Sequence, residues 1–594
     1  MTTTAHPIDT DLPVWDLSDL YTGRDAPDLT ADLTKVQTDA AAFAADYSGR
    51  IADLDAKALS EAIARYEAID EILSRLMSYA GLVNAQDMTD EARQRFYADM
   101  QAKITDISTG LLFFTLEINR LDEELVNTLT ASPDLDRYRP WIRDLRVFRP
   151  YQLSDDIERL FMEKNVTGSS AWVRLFDETV SGLTVEIDGQ TIGLEQALNQ
   201  LSSTDRSQRG RTAEALSRAF QPKTKLFAMI LNNLIKDKEI EDKWRGIKDP
   251  ALGRHLANQV EPEVVGALVE AVREHLPRLS YRYYAMKAKW LGLDRLEHYD
   301  RNAPLPDQSD RQFSWTQAKE TVLGAYNRFS PELADIAQPF FSKPWIDAGI
   351  RPGKSPGAFA HPTVPSAHPY LLLNFQGKQR DVMTLAHELG HGVHQILAGS
   401  QGHFLSQTPL TLAETASVFG EMLTFRALLE AAPDKRERRA LLASKVEDMI
   451  NTVVRQTAFY NFEHRLHDAR RSGELSADRI GEIWMDVQSK SLGPAIHLGA
   501  GYETFWCYIS HFVHSPFYVY AYAFGDCLVN SLYAVYQDAS PGFAERYLDL
   551  LRAGGTKRHQ ELLAPFGLNA ADPAFWGKGL SVIEGFIDDL AALS

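Results

Sequence analysis

Apolar positions recur every three or four residues through most of this chain, the period of one face of a helix. Residues 28–48 (DLTADLTKVQTDAAAFAADYS) show it first. Residues 54–80 and 87–130 continue it, rich in Ala, Leu, Glu and Arg and poor in Pro and Gly. These runs predict a bundle of long antiparallel helices. Residues 183–190 (LTVEIDGQ) switch to alternation and end on Asp188-Gly189, a hairpin signal. Helical periodicity returns over 205–290. The segments 301–313, rich in Pro and Asp, and 350–369, dense in Gly and Pro, predict loops. The second leads into YLLLNF (370–375), a strand candidate. From 381 onward the pattern is again mostly helical, with no internal repeat or low-complexity tract. The predicted class is mainly α with a small sheet near residues 350–376. The first ten or so residues are mostly polar and are expected to be mobile.

Length adds that 594 residues exceed what one hydrophobic core holds, so at least two domains or lobes are expected. A 44% hydrophobic and 24% charged composition is that of an ordinary globular protein. Acidic residues outnumber basic ones by 81 to 62, a formal net charge of -19. Such a surface repels phosphate backbones and anionic lipids, and no Lys/Arg run overrides it, so neither nucleic acid nor membrane is an expected partner. Two cysteines, Cys507 and Cys527, make no disulfide framework and fit a reducing compartment. The opening MTTTAHPIDTDLP lacks the basic and apolar regions of a secretory signal, and no stretch approaches the roughly 18 apolar residues that span a bilayer. A cytoplasmic location is expected.

The chemistry is concentrated in LAHELGHGVHQ (385–395), where His387-Glu388-Leu389-Gly390-His391 matches HExxH. Residues four apart share a helix face, so both imidazoles can reach one metal ion. Glu388, one step around the helix, is placed beside that ion to take a proton from water. The bare motif arises by chance in roughly 3 of 100 chains of this composition. Its context strengthens it: the flanking sequence is amphipathic, and Asp381 stands where a helix N-cap would be. Gly390 and Gly392 each cost about 1 kcal/mol in a helix relative to Ala. Either another backbone or substrate comes close to them, or the helix simply packs tightly there.

A catalytic zinc needs a third protein ligand and an open position. The next acidic candidates, Glu414 and Glu421 in TLAETASVFGEML, are seven residues apart and face the same way. One can bind the metal and the other can orient a histidine ligand. Leu412, Ala413, Ala416, Val418, Phe419, Met422 and Leu423 around them predict a buried helix, where a carboxylate needs a partner.

HELGH followed by the Glu of LAETAS resembles the oligoendopeptidase F branch of the thimet oligopeptidase family. The similarity extends along the chain. It includes WDLSDLY (15–21), Tyr283 and Tyr284 through Leu291-Gly292-Leu293, Asp300 with Ala303-Pro304-Leu305, the loop Gly357-Ala358-Phe359, the strand Leu371–Phe375 and the late segment HFVHSPFYVYAYAFG. The resemblance implies that one Zn2+ is held by His387, His391 and Glu414, that Glu388 is the general base, and that Glu421 supports a ligand. It implies a mainly α, two-lobed helical ellipsoid with a deep substrate channel and a small sheet beside the zinc helix. The corresponding division is an N-terminal helical domain over 1–200 and a catalytic domain over 201–594. His511, His514, Tyr518 and Tyr522 fall on one helical face by spacing. The family uses a His and Tyr residues of this region for substrate and oxyanion binding, so His511 and Tyr522 are the preferred catalytic candidates. His514, Tyr518, Tyr520, Gly357 and Asn374 are candidates for substrate contact.

The implied activity is a zinc-dependent endopeptidase hydrolysing internal bonds of short, unstructured oligopeptides. Cobalt and manganese are the alternative metals. The strand at 371–375 is expected to pair with an extended peptide by edge addition. An exopeptidase would need a site for a free terminus, and no sequence feature identifies one. A non-catalytic peptide-binding protein would be expected to lack a ligand or the base, and all four residues are present. A structural zinc site would want four ligands, often Cys, and the two cysteines are not spaced for it.

Overall fold

A computed structural model describes residues 12–305, 311–538 and 541–593 of the chain. The expectation for the first ten residues, and the 306–310 part of the expected loop, lie outside the described residues. The described chain is mainly helical with small sheets, as the periodicity predicts. It forms two compact units, each assembled from three segments. The first takes residues 1–149, 310–431 and 539–567; the second takes 150–309, 432–538 and 568–594. The units therefore interleave along the chain and cut across the sequence division at residue 200.

In the first unit, α1 (Pro27–Tyr47), α2 (Ala56–Gln86) and α3 (Glu91–Arg120) are the three long helices that the period predicts. α2 and α3 start at caps, Asp55 accepting from the Ala58 N–H and Asp90 from those of Ala92 and Arg93, while α1 starts at Pro27 without a side-chain cap. Val36 and Phe43, Ile63 and Leu76, and Phe114 and Ile118 are the fully buried faces of the three helices. Phe43 meets Phe114 edge-on at 5.0 Å. Burial of each such side chain is worth roughly 1.5–3 kcal/mol.

The same unit holds a three-stranded sheet of β1 (Ile346–Asp347), β2 (Phe359–His361) and β3 (Tyr370–Leu372), in the order β1-β3-β2. The central strand is parallel to β1, with Ile346 opposite Leu371, and antiparallel to β2, with Ala360 opposite Leu371. β2 lies inside the segment expected to be loop. Three residues between Gly357 and Pro362 are too few to show alternation, and pairing with β3 makes the strand. Two helices follow the sheet, α4 (Gln379–Ala398) and α5 (Leu410–Glu430), and they pack against each other.

The second unit contains the expected hairpin, Thr184–Ile187 with Gln190–Gly193. Asp188 (φ 52°) and Gly189 (φ 79°) take the left-handed turn that Asp-Gly favours. A short parallel pair joins Leu296–Glu297 to Ile496–His497. Its helices include Thr224–Arg245, Gln456–Arg471, Ala477–Leu492, α6 (Tyr520–Gln537) and α7 (Pro573–Ala592). Phe524, Leu528 and Leu532 of α6 and Trp576, Leu580 and Ile583 of α7 are fully buried. Cys507 and Cys527 are buried free thiols. Among the described residues no helix is long and apolar enough to cross a membrane.

Candidate active site

Helix α4 carries the HExxH residues. It begins two residues before the expected position, at Gln379. Asp381 is not its N-cap but the third helical residue, reaching back to accept from the N–H groups of Lys378 at 3.0 Å and Gln376 at 2.7 Å. The helix buries Val382, Leu385, Ala386, Leu389 and Val393. His387 and His391 are on the same side, with their Nε2 atoms 3.2 Å apart.

Glu414 of α5 completes a triangle. Its Oε2 lies 3.4 Å from His387 Nε2 and 3.5 Å from His391 Nε2. Two nitrogens and a carboxylate oxygen at such spacings fit a single ion, because tetrahedral ligands on bonds of about 2.0–2.1 Å are spaced by roughly 3.3–3.4 Å. The donor set suits zinc.

The surrounding bonds fix these donors. His387 Nδ1 lies 2.6 Å from Glu421 Oε1, so Nδ1–H donates to the carboxylate and leaves the Nε2 lone pair free. Burial opposes protonation of His387, but Glu421 outweighs it, and the imidazole is pushed up to about 9. His391 bonds the backbone of Ala413, and its burial pushes it down to about 4. Ser417 Oγ donates to Glu414 Oε2 at 2.6 Å.

Glu388 is 7% exposed. Burial is the main cause that pushes it up to about 7, and the Ala360 N–H of β2 donates to it. A carboxyl tuned close to neutrality suits proton transfer.

Why α4 and α5 approach so closely is explained by Gly390. A Cβ there would lie 2.6 Å from the Ala416 carbonyl oxygen and 2.7 Å from Ser417 Cα. The neighbour is thus another helix backbone, the one that carries Glu414. Gly392 leaves room instead for the Phe340 ring, whose nearest atom would be 2.7 Å from a Cβ.

Sequence reasoning missed the two tyrosines that pin these helices. Tyr326 Oη donates to the Ala386 carbonyl at 2.8 Å, and Tyr547 Oη to the Thr415 carbonyl at 2.8 Å. It also missed His361 of β2, whose buried Nε2 has no hydrogen-bond partner among the described residues. Nothing local in the sequence marks these three.

Asn374 donates from Nδ2 to the carbonyls of Ser355 (3.1 Å) and Gly357 (2.8 Å), tying the loop before β2. Gly357 has φ 78°, which suits glycine. Over Tyr370–Leu372 the strand expected to take up a peptide by edge addition is central, hydrogen-bonded on both sides, and has no free edge. The edges of this sheet are β1 and β2.

The late His/Tyr segment belongs to the second unit, and it is not the single helical face that spacing suggested. A four-residue helix, His511–His514, ends before Pro516, Phe517 takes φ 58°, and α6 starts at Tyr520. The break gathers some residues and separates others. His511 Nε2 lies 3.3 Å from Tyr522 Oη, and Tyr518 is near both, edge-on to Tyr522 at 5.2 Å and tilted to His511 at 6.4 Å between ring centres. His514 instead pairs with Asp177 at 2.7 Å. Tyr520 is fully buried, with its Oη held by Asn258 at 2.9 Å and His255 at 3.1 Å.

A His-Glu-x-x-His pair on one helix, closed by a carboxylate from the next in a mainly helical chain, is the arrangement of a metallopeptidase hydrolase. Similarity to known proteins specifies which. A family model described as Peptidase family M3 matches residues 199–582, and one described as Oligopeptidase F matches 117–184. The chain belongs to peptidase family M3, as the sequence resemblance implied. Oligopeptidase PepF of Bacillus subtilis is 27% identical over 561 residues, covering 92% of this chain and 82% of its own length. Group B oligopeptidase PepB of Streptococcus agalactiae is 26% identical over 592 residues, 98% of this chain and 96% of its own. A solved structure of a putative peptidase from Chlamydophila abortus has the same fold, at a TM-score of 0.86 with 22% identity and 98% of each chain covered. Oligoendopeptidase-F from Enterococcus faecium is similar at a TM-score of 0.68 and 22% identity, covering 95% of this chain and 99% of its own.

Proposed function

We propose that this chain is a zinc-dependent endopeptidase that hydrolyses internal bonds of short, unstructured oligopeptides. His387, His391 and Glu414 hold the ion, and Glu388 is the general base. The observation that carries this reading is the donor triangle, with edges of 3.2, 3.4 and 3.5 Å, beside a buried carboxyl that is not part of it.

A zinc ion supplies Lewis acidity there, polarising a carbonyl and acidifying water. Glu388 takes the proton from the attacking water and passes it to the leaving amine. The Ala360 N–H keeps that carboxyl oriented. Glu421 holds His387 in the tautomer that presents Nε2. The family resemblance carries the remaining assignments. His511 and Tyr522 donate to the developing oxyanion. His514, Tyr518, Gly357 and Asn374 contact substrate, and residues 201–594 form the catalytic part; Tyr520, fully buried with its hydroxyl held by Asn258 and His255, is not among the substrate contacts. A cytoplasmic location is supported by two buried free thiols.

The test is cleavage of an internally quenched, end-blocked peptide of about ten residues, a length chosen from an extended reach of about 3.3–3.6 Å per residue. It is assayed as purified, after chelation and after zinc is restored. Cleavage that chelation stops and zinc restores is the expected result. Cleavage only of peptides with free ends would replace the reading with an exopeptidase.

A further inference from the structure

The second unit encloses a pocket whose charge is unbalanced. It has a volume of about 220 Å³, and its lining includes His298, Tyr299, Arg301, Arg455, Tyr502 and Tyr508. Two guanidinium groups therefore face one small space. Arginine stays protonated in proteins, so the lining carries two positive charges.

No carboxylate among the described residues forms an ion pair with either arginine. The acids in this region are engaged by other cations. Asp300 accepts from Arg206 at 3.0 Å and from Arg209 at 2.8 Å. Glu447 pairs with the buried Lys287 and accepts from Tyr283 Oη at 2.7 Å. Glu297 lies 2.9 Å from His497 Nδ1. Arg455 rests on the Phe459 ring, with its Cζ 5.0 Å from the ring centre. Three polar atoms of the lining, His298 Nδ1, Arg301 Nε and Arg455 Nε, are shut off from solvent and have no hydrogen-bond partner among the described residues.

A protein does not keep two like charges together in a partly desolvated pocket without compensation, because burying an unpaired charge is strongly unfavourable. Arg455 sits at the end of a π-helical turn, Asn451–Arg455, a backbone irregularity often found at functional sites. The Tyr508 hydroxyl beside the guanidinium groups adds a neutral donor, whereas Tyr502 Oη accepts from Arg301 and donates to Gln488 Oε1 at 3.4 Å. At about 30 Å³ per water, the volume holds a group of only a few heavy atoms, well short of a nucleotide.

We propose that this pocket is a binding site for a single carboxylate group, gripped by the Arg301 and Arg455 guanidinium groups with the Tyr502 and Tyr508 hydroxyls alongside. A planar carboxylate matches the guanidinium fork, which a spherical halide does not. The carboxylate comes either from a free small acid or from the C-terminal end of a peptide. The site stands on its own residues and does not depend on the metal.

The probes are sodium acetate, N-acetylalanine and N-acetylalanine amide, titrated into the full chain at constant ionic strength set with sodium chloride. Binding is read by calorimetry and by the shift in Tm. Acetate and N-acetylalanine are expected to bind saturably, and the amide is expected not to. N-Acetylalanine binding at least tenfold tighter than acetate identifies a peptide carboxylate as the source; equal affinities identify a free small acid. Arg301→Met should abolish the saturable response. It should also raise Tm in acetate-free buffer, since one of two repelling charges is gone. If that variant does not fold, Arg301→Lys keeps the charge, loses the fork and should weaken acetate binding about tenfold, as should Arg455→Lys. The proposal is overturned by any of three results: no saturable binding, displacement of acetate by chloride at equal concentration, or affinities unchanged in the lysine variants.

Discussion

Replacing Gly390 by Ala would show whether contact between two helix backbones positions the ligand set. On helix propensity alone the change should help, since Ala is better than Gly by about 1 kcal/mol in a helix interior. The contact opposes it. The new Cβ would lie 2.6 Å from the Ala416 carbonyl oxygen and 2.7 Å from Ser417 Cα, both held inside α5, whereas ordinary contact begins at 3.4 Å. The helices must part locally by about 0.8 Å, and overpacking of this kind costs roughly 1–3 kcal/mol. The net loss of stability is therefore small, about 0–2 kcal/mol after the propensity gain.

The larger effect falls on the proposed metal site, because Glu414 rides on α5. Its present spacings to the histidines are 3.4 and 3.5 Å. Retreat of α5 would stretch them to about 4 Å, beyond the roughly 3.4 Å that tetrahedral bonds span. Zinc affinity is expected to fall about 10–100-fold, on the scale of losing a bond that supports a ligand. The assay is competition with a chromophoric chelator, run beside thermal unfolding of the metal-free protein. Unchanged zinc affinity with a raised Tm would refute the reasoning, since the clash would then have been absorbed elsewhere.

Glu421→Gln weakens the acceptor on His387 Nδ1, and zinc affinity by the same competition assay should drop about 10–100-fold, with Tm nearly unchanged. Glu388→Gln should leave that affinity intact and lower kcat by at least about 10²–10⁴ in the quenched-peptide assay; full turnover would remove Glu388 as base. Glu463 gives the pH prediction. Burial pushes this carboxyl up to about 8 in the second unit, so the folded state keeps a proton that the unfolded chain releases near pH 4.5. Between those values the unfolded chain binds fewer protons, and stability falls as pH rises, by roughly 3–5 kcal/mol in all. Glu463→Gln should remove that slope in denaturant titrations from pH 5 to 8.5, and an unchanged slope would place the titration elsewhere.

What the sequence disclosed was local. The helices α1 to α3 were legible because their period is contained in their own residues, although the run expected over 87–130 breaks at Leu121-Asp122 into Glu91–Arg120 and Glu123–Thr130. The hairpin was legible because Asp188-Gly189 names its turn. His387 and His391 could be placed on one face because four residues always make about one helical turn. Features that depend on distant partners were not legible. β2 is a strand only because β3 lies beside it, and β3 is central only because Ile346 reaches it from the other side. Asp381 looked like a cap because its residue type suits either role, and only the chain path before Gln379 decides between them. Tyr326 and Tyr547 look like any core aromatics, yet their hydroxyls bond carbonyls 60 and 132 residues away. The interleaving of the two compact units has no local signature at all.

The late His/Tyr segment shows how such a limit arises. Spacing placed His511 and Tyr522 on one helical face, but eleven residues of continuous helix would set them about 16 Å apart along its axis. They are 3.3 Å apart because the chain folds back at Ser515-Pro516-Phe517. Proline forbids helix in the residue before it, and that much is readable. The decisive element is Phe517, held at φ 58°, a conformation costing a non-glycine residue roughly 1–2 kcal/mol. Glycine would avoid that cost but could not bury a ring. The Phe517 ring is fully buried, 4.7 Å from His467 and 4.8 Å from His464 between centres, and a buried Phe returns roughly 1.5–3 kcal/mol. Its N–H donates to Glu463 at 2.8 Å, so the carboxyl that burial pushes up to about 8 also anchors the turn. The turn that joins His511 to Tyr522 is thus held by the Phe517 ring in the core and by the buried Glu463 carboxyl; that carboxyl and the His464 and His467 rings beside Phe517 come from the Gln456–Arg471 helix and are invisible to any reading of residues 511–522 alone.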